Sequence, residues 1–498
     1  MLQICKLLFE LWNKDVRYCH WKSNEHLIEG LQGTTDLDVF VLPEDRSLAE
    51  KKLKQCKYIK FTPQDSSRYP MVDEWIGFDE STGKLVHVHL HYRIITGTKF
   101  CKEYVFPMDK MMIDYRILDP ETNVFIAAPE VELIVLFSRI VLKSRNKSTI
   151  TTMGYDAEIS YLKQRVDINK LKVFCDSAIG KEGSLYYDII IKDVLNKHDW
   201  TTLVGIIHRW LDKYRTKSRL QCFFRTNFYW SKFYSDLVLN RLFHTPTLSK
   251  KTLPGAHISI CFLGQDGSGK STLSMNVEKW LRWKIEAHRF YLGSGEHFHS
   301  PIKWMLRKIS SAKNKNNTSQ DKQHSLPETK TGRKFGFSSW IGMMLASYEL
   351  KNIAKRALKE IKKAYSYSGK GGVSIYDRFP QIQFPGIYDG PKIRKIYIEK
   401  DKGNWFVERM AKLEEQYLLR VQQYQPTLVF KLMLSPEESI SRKPFENFEQ
   451  VREKHEITKQ ISFPQSEVYE IDATQDYEQE LLIVKRNIWE CFLKNQLS

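Results

Sequence analysis

Gly264-Gln-Asp-Gly-Ser-Gly-Lys-Ser271 fits the pattern G-x-x-x-x-G-K-[ST] at every position. The apolar run 257–263 before it predicts a short buried strand, and residues 272–282 after it have the spacing of an amphipathic helix. A strand, a glycine-rich turn and a helix N-terminus bring backbone N–H groups around a chain of phosphates. The stretch therefore predicts a phosphate-binding loop in an α/β domain. An accidental match is disfavoured because both flanks are correct.

The residues of this loop have distinct physical roles. Its glycines allow positive φ and a close approach of the backbone to phosphate. The Lys270 ammonium would reach the β- and γ-phosphates of a nucleotide, and the Ser271 hydroxyl would bind Mg²⁺. The predicted ATP-binding residues are Gly264, Gly267, Ser268, Gly269, Lys270, Ser271 and Thr272.

Length and net charge constrain the number of domains and the class of binding partner. A chain of 498 residues is too long for one ordinary core, so two or three domains are expected. The formal net charge of +18 favours anionic partners such as nucleotides, nucleic acid, acidic glycans or a lipid surface. A basic enzyme without such a macromolecular partner is an equal alternative.

Cysteine usage and hydropathy bear on the compartment. The 8 cysteines include no C-x-x-C pair, which is typical of reduced thiols in a cytoplasmic protein. Charge interrupts the apolar N-terminus too early for a signal peptide. The longest apolar stretch, residues 131–142, contains Arg139 and is too short to span a bilayer. We therefore expect a cytoplasmic protein without a transmembrane segment.

Composition shifts divide the chain. Residues 1–110 mix a helix with strands, 111–245 are mainly helical, and 256–498 carry the phosphate-binding loop. The stretch 245–255, punctuated by Pro and Gly, is the predicted linker. The polar tract 313–333 is expected to be a mobile insertion, with a long helix after it. The predicted fold class is α/β, with a doubly wound parallel sheet in the C-terminal domain, an α+β N-terminal domain and a helical middle region.

A second strand of the C-terminal domain ends in charged residues. Residues 372–376 predict a buried parallel strand that is followed directly by Asp377 and Arg378. The carboxyl end of such a strand lies beside the phosphate loop in a doubly wound sheet. Asp377 could hold Mg²⁺ or its waters, and Arg378 could clamp phosphates with two hydrogen bonds. Further along, Arg442 and Lys443 are placed like a lid over the phosphates, or form an ordinary solvated helix end.

With these residues, the C-terminal half resembles the thymidylate kinases. The runs that carry the resemblance are 262–272 (the phosphate loop), 376–379 (their Asp-Arg-Tyr/Phe motif), 432–443 (the strand leading to the lid) and 470–473 (the final strand). The resemblance spans residues 256–498. It implies a P-loop kinase that transfers the γ-phosphoryl group of ATP to a nucleoside monophosphate with Mg²⁺.

The resemblance also implies roles for single residues. Lys270 and Ser271 would handle ATP and the metal, and Asp266 would contact the acceptor sugar or its waters. Arg378 would bridge the donor and acceptor phosphates, and Arg442 would act from the lid. The polar insertion and the segment after Asp-Arg depart from the family pattern, so the acceptor stays open.

A second constellation lies near the N-terminus. His20-Trp-Lys-Ser23 precedes Gly33-Thr-Thr-Asp36-Leu-Asp38, and the two carboxylates share one face of a predicted strand. This pattern resembles the nucleotidyltransferase superfamily, which implies a metal-binding pair of acids. If His89 takes the place of the family's third acid, the predicted metal ligands are Asp36, Asp38 and His89. The alternative is a non-catalytic fold with exposed histidines.

Asn196-Lys-His-Asp199 matches N-K-x-D, a GTPase pattern. It precedes the phosphate loop and falls within residues 189–211, which have helical spacing. We therefore interpret the match as a coincidence.

Residues 213–234 interleave Arg and Lys with Phe, Tyr and Trp. The favoured interpretation is that the rings pack between domains and the charges are exposed. Contact with nucleic acid or a membrane surface is the alternative.

Together these patterns predict a two-module enzyme. An ATP-dependent phosphotransferase would act on a dTMP-like nucleoside monophosphate or a related small phosphorylated acceptor, with a nucleotidyltransferase-like module appended. Its cofactors would be ATP and Mg²⁺, a homo-oligomer is expected, and nucleic acid is a less favoured partner. The alternative is a nucleic-acid-associated protein that uses ATP binding as a switch. The predicted catalytic residues are Lys270, Asp266, Arg378, Asp377 and Arg442.

Overall fold

A computed structural model describes residues 1–144, 154–243, 246–292, 337–400, 403–442 and 447–497. The chain has two compact units: an N-terminal unit of Met1–Leu253 with Lys485–Ser498, and a C-terminal unit of Pro254–Val484. The predicted insertion 313–333 and Lys443 lie outside the described residues. The three predicted domain ranges stay predictions. None of the described helices is long and apolar enough to cross a membrane.

The described part of the N-terminal unit contains a seven-stranded mixed sheet with the order β3-β4-β5-β2-β1-β9-β8, and β6 and β7 form a separate ribbon. The strands are β1 (Tyr18–His20), β2 (Asp36–Val41), β3 (Ile59–Phe61), β4 (Val72–Asp79), β5 (Lys84–His91), β6 (Ile95–Thr96), β7 (Tyr104–Val105), β8 (Ile117–Leu118) and β9 (Phe125–Ile126). Parallel pairing of β2 with β5 puts Asp36 opposite His87 and Asp38 opposite His89. Antiparallel pairing of β4 with β5 puts Glu74 opposite His89. The register therefore brings acids and histidines side by side.

Helices pack around this sheet in two hydrophobic clusters, one against α1 and one around α5. They are α1 (Gln3–Asp15), α2 (Leu27–Leu31), α3 (Arg46–Gln55), α4 (Asp109–Asp114), α5 (Pro129–Lys143), α6 (Asp156–Lys163), α7 (Ile168–Ile179), α8 (Gly183–Ile190), α9 (Lys197–Leu211) and α10 (Arg219–Phe243). Proline begins α5, where its missing N–H costs no helical hydrogen bond. Every residue of α5 from Glu130 to Leu142 is buried, so its polar residues lie inside the unit.

The helix expected over residues 189–211 is interrupted. α8 ends at Ile190 and α9 begins at Lys197, because Asn196 caps the second helix. The Asn196 side chain accepts a hydrogen bond from the Asp199 N–H at 2.9 Å, and the Asp199 carboxylate accepts one from the Asn196 N–H at 3.2 Å. This reciprocal pair is a capping box. The N-K-x-D match is thus the start of a helix.

The interpretation that the basic and aromatic residues 213–234 bury their rings is wrong for much of α10. Phe223, Phe224, Phe228 and Tyr234 each expose more than 60% of their surface. Another side of the helix is attached to the unit, where Arg225 Nε donates to the Phe100 carbonyl at 2.7 Å. The prediction of a helical region is confirmed here, but the sequence pattern did not indicate which rings of the helix are exposed.

The described part of the C-terminal unit contains a five-stranded, all-parallel sheet with the order β11-β12-β10-β13-β14. Its strands are β10 (Ser259–Gly264), β11 (Ala287–Phe290), β12 (Val373–Tyr376), β13 (Leu428–Met433) and β14 (Glu467–Asp472). Its helices are α11 (Lys270–Leu281), α12 (Phe337–Gly369), α13 (Trp405–Val421), α14 (Pro436–Arg442) and α15 (Phe448–Gln460), with a π-helical turn at Arg394–Ile398. A last helix, α16 (Tyr477–Leu497), begins in this unit, and its residues from Lys485 onward belong to the N-terminal unit. The prediction of an α/β fold with a parallel sheet is confirmed.

The central position of β10 fixes where the glycine-rich turn lies. All residues of β10 are buried, as expected for a strand covered on both faces. Cys261 pairs with Tyr376 at the end of β12, and Gly264 pairs with Leu432 near the end of β13. The turn that follows β10 therefore begins between the carboxyl ends of two neighbouring strands.

Candidate functional site

The turn after β10 has the backbone conformation that its glycines allow. φ is +155° at Gly264, +84° at Gly267 and +89° at Gly269. A Cβ atom on Gly264 would lie 2.6 Å from Ser268 Oγ and 2.7 Å from the Leu432 carbonyl oxygen, so only glycine fits. Gly269 is the N-cap of α11. The first turn of α11 therefore begins directly at this loop, with its N–H groups beside it.

The Lys270 side chain reaches back to the loop backbone. Its Nζ donates to the Gln265 carbonyl at 2.6 Å, and the residue is buried. Gln265 Nε2 in turn donates to the Leu434 carbonyl at 2.7 Å, which fastens the loop to the segment after β13. A buried ammonium held beside converging N–H groups makes the loop strongly attractive to an anion.

Ser271 and Asp377 meet at the edge of the sheet. Ser271 Oγ donates to the Asp377 carboxylate, at 2.9 Å from Oδ2 and 3.2 Å from Oδ1. Ser271 and Thr272 are exposed in the first turn of α11, and Asp377 directly follows β12. Hydroxyl and carboxylate oxygens are the ligands that Mg²⁺ prefers. The structure thus brings together two residues that the sequence predicted separately.

Asp266 lies between two cations. Its Oδ2 accepts a hydrogen bond from Lys454 Nζ at 2.7 Å, and its Oδ1 lies 3.8 Å from an Arg378 nitrogen. Burial alone would raise the pKa of Asp266, but the hydrogen bond and charge of Lys454, with the charges of Lys270 and Arg378, lower that pKa to about 2. The carboxylate is therefore ionised at neutral pH.

Arg378 is surrounded by acids. Burial would lower its pKa, but the charges of Asp389, Tyr291, Asp266 and Asp377 together raise it. The guanidinium is thereby held as a permanent cation at the end of β12, on the side of Asp266.

The segment after Asp-Arg is tied to α15. Tyr388 and Asp389 both have positive φ, 46° and 56°, which is uncommon for residues with a side chain. The Tyr388 hydroxyl lies 2.6 Å from Thr458 Oγ1 and donates to the Lys454 carbonyl at 3.2 Å. This contact positions the helix that carries Lys454. Sequence reasoning missed Tyr388, Asp389 and Lys454.

Arg442, at the end of α14, contacts the loop backbone. Its guanidinium donates to the Gly267 carbonyl at 3.4 Å and to the Ala473 carbonyl at 3.0 Å. Ser439 of the same helix donates to the Asp266 carbonyl at 3.0 Å. α14 is thus attached to the loop at two points. The role of Arg442 as a lid residue stays a prediction.

The residues around the loop fit a polyphosphate with a divalent cation. Ser268 Oγ is buried and finds no hydrogen-bond partner among the described residues. An orphaned hydroxyl inside a cationic loop is a donor for a phosphate oxygen. Ser271 and Asp377 offer oxygen ligands on one side. The cations gathered at the loop are Lys270, Arg378, Arg442 and Lys454.

The predicted metal residues of the N-terminal unit lie in a chain of charged contacts. Asp36 Oδ1 lies 2.8 Å from His87 Nδ1, and His87 Nε2 lies 2.6 Å from Glu74 Oε2. Glu74 Oε1 lies 3.1 Å from His89 Nε2, and His89 Nδ1 lies 3.1 Å from Asp38 Oδ1. Glu74, which the sequence did not reveal, is the link between the two histidines.

Ligand atoms of Asp38, His89 and His91 lie within 4.8 Å of one another, whereas Asp36 pairs with His87. The assignment of Asp36, Asp38 and His89 to a metal stays a prediction. The expectation of exposed histidines is wrong for His87 and His91, which are buried. The alternative of a non-catalytic fold stays a prediction. Burial would lower the pKa of His89, but Glu74 and Asp38 raise it to about 9.

No protein-family model matches the chain. Over 250 residues, 48% of this chain and 90% of the relative, it is 27% identical to the "Uncharacterized ATP-binding protein YghR" of Escherichia coli (strain K12). The "Uncharacterized ATP-binding protein YghS" of the same strain is 26% identical over 216 residues, 43% of this chain and 85% of the relative. A structure of deoxyadenosine kinase from M. mycoides with bound dATP aligns at a TM-score of 0.28 and 14% identity, covering 46% of this chain and 99% of that one, too low to support an argument. The chain is thus a distant relative, over part of its length, of uncharacterized ATP-binding proteins.

Proposed function

We propose that the C-terminal unit is an ATP-dependent phosphotransferase that acts on a dTMP-like nucleoside monophosphate or a related small phosphorylated acceptor. The observation that carries the proposal is the contact between the Ser271 hydroxyl and the Asp377 carboxylate beside a loop that fits G-x-x-x-x-G-K-[ST]. The names of both bacterial relatives support ATP as the donor.

On the donor side, the loop N–H groups and the N-terminus of α11 would hold the β- and γ-phosphates. Lys270 would exchange its contact with the Gln265 carbonyl for a phosphate oxygen. Ser271 and Asp377 would hold Mg²⁺, directly or through water, and the ion would supply charge neutralisation.

On the acceptor side, Asp266, Arg378 and Lys454 combine an ionised acid with two cations. Arg378 can bind a phosphate with two parallel hydrogen bonds. Asp266 can accept a hydrogen bond from a hydroxyl group. This pairing fits an acceptor that carries both a phosphate and a sugar hydroxyl. Transfer would then depend on positioning and on neutralisation of charge by Arg378 and Arg442.

ADP formation from ATP, measured with Mg²⁺ and a panel of nucleoside monophosphates and sugar phosphates, tests the proposal. We expect ADP formation that requires an acceptor. Lys270→Ala should lower this turnover by roughly 100-fold or more, because a charge that stabilises the transferring group is lost. Lys279→Ala, which changes an exposed lysine of the same helix, is the matched control.

Turnover of Lys270→Ala equal to that of Lys279→Ala would overturn the assigned site. ATP binding without acceptor-dependent turnover, together with salt-sensitive retention on DNA or RNA, would instead support the nucleic-acid-associated switch. The exposed basic and aromatic residues of α10 are the surface that this second function would use.

A further inference from the structure

The second half of α10 is both apolar and exposed. Trp230, about halfway along the helix, still packs on the N-terminal unit, with its ring centroid 5.7 Å from that of Phe100. From Ser231 to Leu242 every residue except Asp236 is exposed. These 12 residues extend for about 18 Å, and half of them are large hydrophobic residues. An exposed apolar surface of this kind marks a site of interaction with a protein or a membrane.

The exposed apolar residues share one side of α10. Successive residues of a helix are about 100° apart, so side chains four positions apart lie close together. The exposed residues with this spacing are Leu220, Phe224 and Phe228 in the first half and Tyr234, Val238 and Leu242 in the second. The residues between them on this side are uncharged. An uncharged surface, which we call the apolar face, therefore follows the helix along its length.

Cations border the apolar face on both sides. At about 100° per residue, Lys232 lies beside one edge of the face and Arg241 beside the other, and both are exposed. The charged residues of α10 are the cations Arg219, Arg225, Lys232 and Arg241 and the acid Asp236. The helix thus has an excess of positive charge, as has the whole chain at +18. A complementary partner is negatively charged and covers apolar side chains.

The side chains of the second half distinguish among the partners that could cover it. Leu237, Val238 and Leu239 are exposed aliphatic residues, which do not stack on bases as the aromatic rings of single-strand-binding proteins do. A second copy of this chain would bring the same cations to the interface, where like charges repel. Phe233 and Leu237 are exposed on the side away from the apolar face. Fluid lipid can cover a helix from several sides at once, which favours a membrane.

We propose that α10 binds the surface of a membrane that contains anionic phospholipids. The helix lies along the membrane, with Val238 and Leu242 at the boundary between headgroups and acyl chains. Lys232 and Arg241 extend from the edges of the apolar face to lipid phosphates. The site belongs to the N-terminal unit and goes beyond the phosphotransferase proposed for the C-terminal unit.

Flotation of the full chain with lipid vesicles in a density gradient tests the proposal. One set of vesicles contains phosphatidylcholine alone, and the other contains phosphatidylcholine and phosphatidylglycerol in equal amounts. We expect the chain to float with the anionic vesicles and to bind roughly tenfold less to phosphatidylcholine alone, because the cations of α10 then have no anionic headgroups to contact. Binding to the anionic vesicles should weaken as salt is added.

Two double variants locate the binding surface. Val238→Asp together with Leu242→Asp should lower binding to the anionic vesicles by about tenfold or more, because carboxylates replace side chains that enter the lipid. Ile168→Asp together with Val173→Asp, at exposed positions of α7, is the matched control. It changes the net charge equally and should bind nearly like the parent. Thermal midpoints of both double variants verify that the chain is folded.

Four outcomes would overturn the proposal. Equal binding to both kinds of vesicle would remove the anionic lipid, and equal binding by the two double variants would remove α10. The third is a chain that does not float but forms a dimer in sedimentation velocity, which Val238→Asp with Leu242→Asp abolishes. This result would assign the apolar face to a second copy. The fourth is retention on DNA or RNA, without flotation, that the same double variant abolishes.

Discussion

Ser271 Oγ lies 2.9 Å from Asp377 Oδ2, although the two residues are 106 positions apart in the chain. The contact joins the first turn of α11 to the end of β12. It follows from the parallel pairing of β10 with β12, because neighbouring parallel strands bring the residues after them to the same edge of a sheet. This edge therefore collects the oxygen atoms that suit a nucleotide-bound Mg²⁺.

Asp377→Asn keeps the shape of the side chain and removes its charge. We expect ATP affinity in EDTA to change little, and turnover with Mg²⁺ to fall by about 10- to 100-fold, because metal affinity depends on the carboxylate. Equilibrium dialysis with labelled ATP and assays of ADP formation measure the two effects. Asp472→Asn, at the exposed end of β14, is the control and should match the parent. An unchanged Mg²⁺ dependence in Asp377→Asn would remove this residue from the metal site.

Gly264→Ala places a methyl group 2.6 Å from Ser268 Oγ and 2.7 Å from the Leu432 carbonyl. We expect a loss of ATP binding and a fall in unfolding free energy of ~2 kcal/mol, because backbone atoms must move. At Gly269 the added Cβ meets open space, so Gly269→Ala reports the cost of positive φ alone, about 1 kcal/mol.

Gly342→Ala completes this series. Gly342 lies within α12 and has open space around it. Gly342→Ala should therefore leave the unfolding free energy unchanged or raise it by up to about 1 kcal/mol. Urea unfolding and ATP binding are measured for all three variants. If Gly264→Ala and Gly269→Ala lowered the unfolding free energy and ATP binding equally, the close contact at Gly264 would add nothing to the cost of positive φ.

The sequence predicted β10 and β12 of the C-terminal unit well, because these strands are buried apolar runs that end in turn or charged residues. The strand expected at 257–263 is Ser259–Gly264, and the one expected at 372–376 is Val373–Tyr376. Such strands are buried on both faces and leave a continuous apolar signal. The loop that follows β10 could therefore be located before its geometry was known.

Lys454 and Glu74 could not be located in this way. The contact of Lys454 with Asp266 spans 188 positions, and α15 is mostly polar. Glu74 lies beside the histidines because β4 pairs with β5, and no local sequence pattern specifies that pairing. The helix break before Asn196 could have been predicted from the sequence, because N-x-x-D is a capping signal. It was missed because residues on both sides of the break have helical spacing.

Lys454→Met removes the hydrogen bond that lowers the pKa of Asp266. A carboxyl group whose pKa is lowered in the folded state stabilises the protein at pH values above its ordinary pKa of about 4. This contribution is lost as the pH falls toward the folded-state pKa of about 2. We expect the variant to lower the unfolding free energy by on the order of 1 kcal/mol at pH 7 and by clearly less at pH 3. Urea unfolding at both pH values measures the difference.

Lys459→Met, on the exposed side of the same helix, is the control for Lys454→Met. It should show a smaller effect without this pH dependence. A loss for Lys454→Met that is equal at pH 3 and pH 7 would mean that packing, and not the charge of Asp266, explains the destabilisation.

Asn196→Ala removes one half of the capping box of α9. We expect a loss of ~1 kcal/mol in unfolding free energy and no change in the preference for ATP over GTP, because the motif starts a helix and contacts no base. Urea unfolding and competition between the two nucleotides measure these effects. Asn169→Ala, an exposed asparagine of α7, should be nearly neutral. A shift in nucleotide preference would restore the GTPase interpretation of N-K-x-D.

Glu74→Gln removes the carboxylate that holds two histidines together. Burial would lower the pKa of His89, but Glu74 and Asp38 raise it to about 9. A histidine whose pKa is raised in the folded state stabilises the protein fully below its ordinary pKa of about 6.5, and the contribution disappears as the pH rises through about 9. The variant should therefore lose on the order of 3 kcal/mol at pH 6, as expected for a broken buried pair, and less at pH 9.5.

Urea unfolding at pH 6 and pH 9.5, with EDTA present, tests this expectation, and NMR titration of the histidine ring protons reports the pKa of His89 directly. That pKa should fall in Glu74→Gln, because one of its two carboxylate partners has lost its charge. Glu121→Gln, an exposed acid of the same unit, should leave both measurements unchanged. If His89 titrates at the same pH in Glu74→Gln as in the parent, Glu74 does not control its charge.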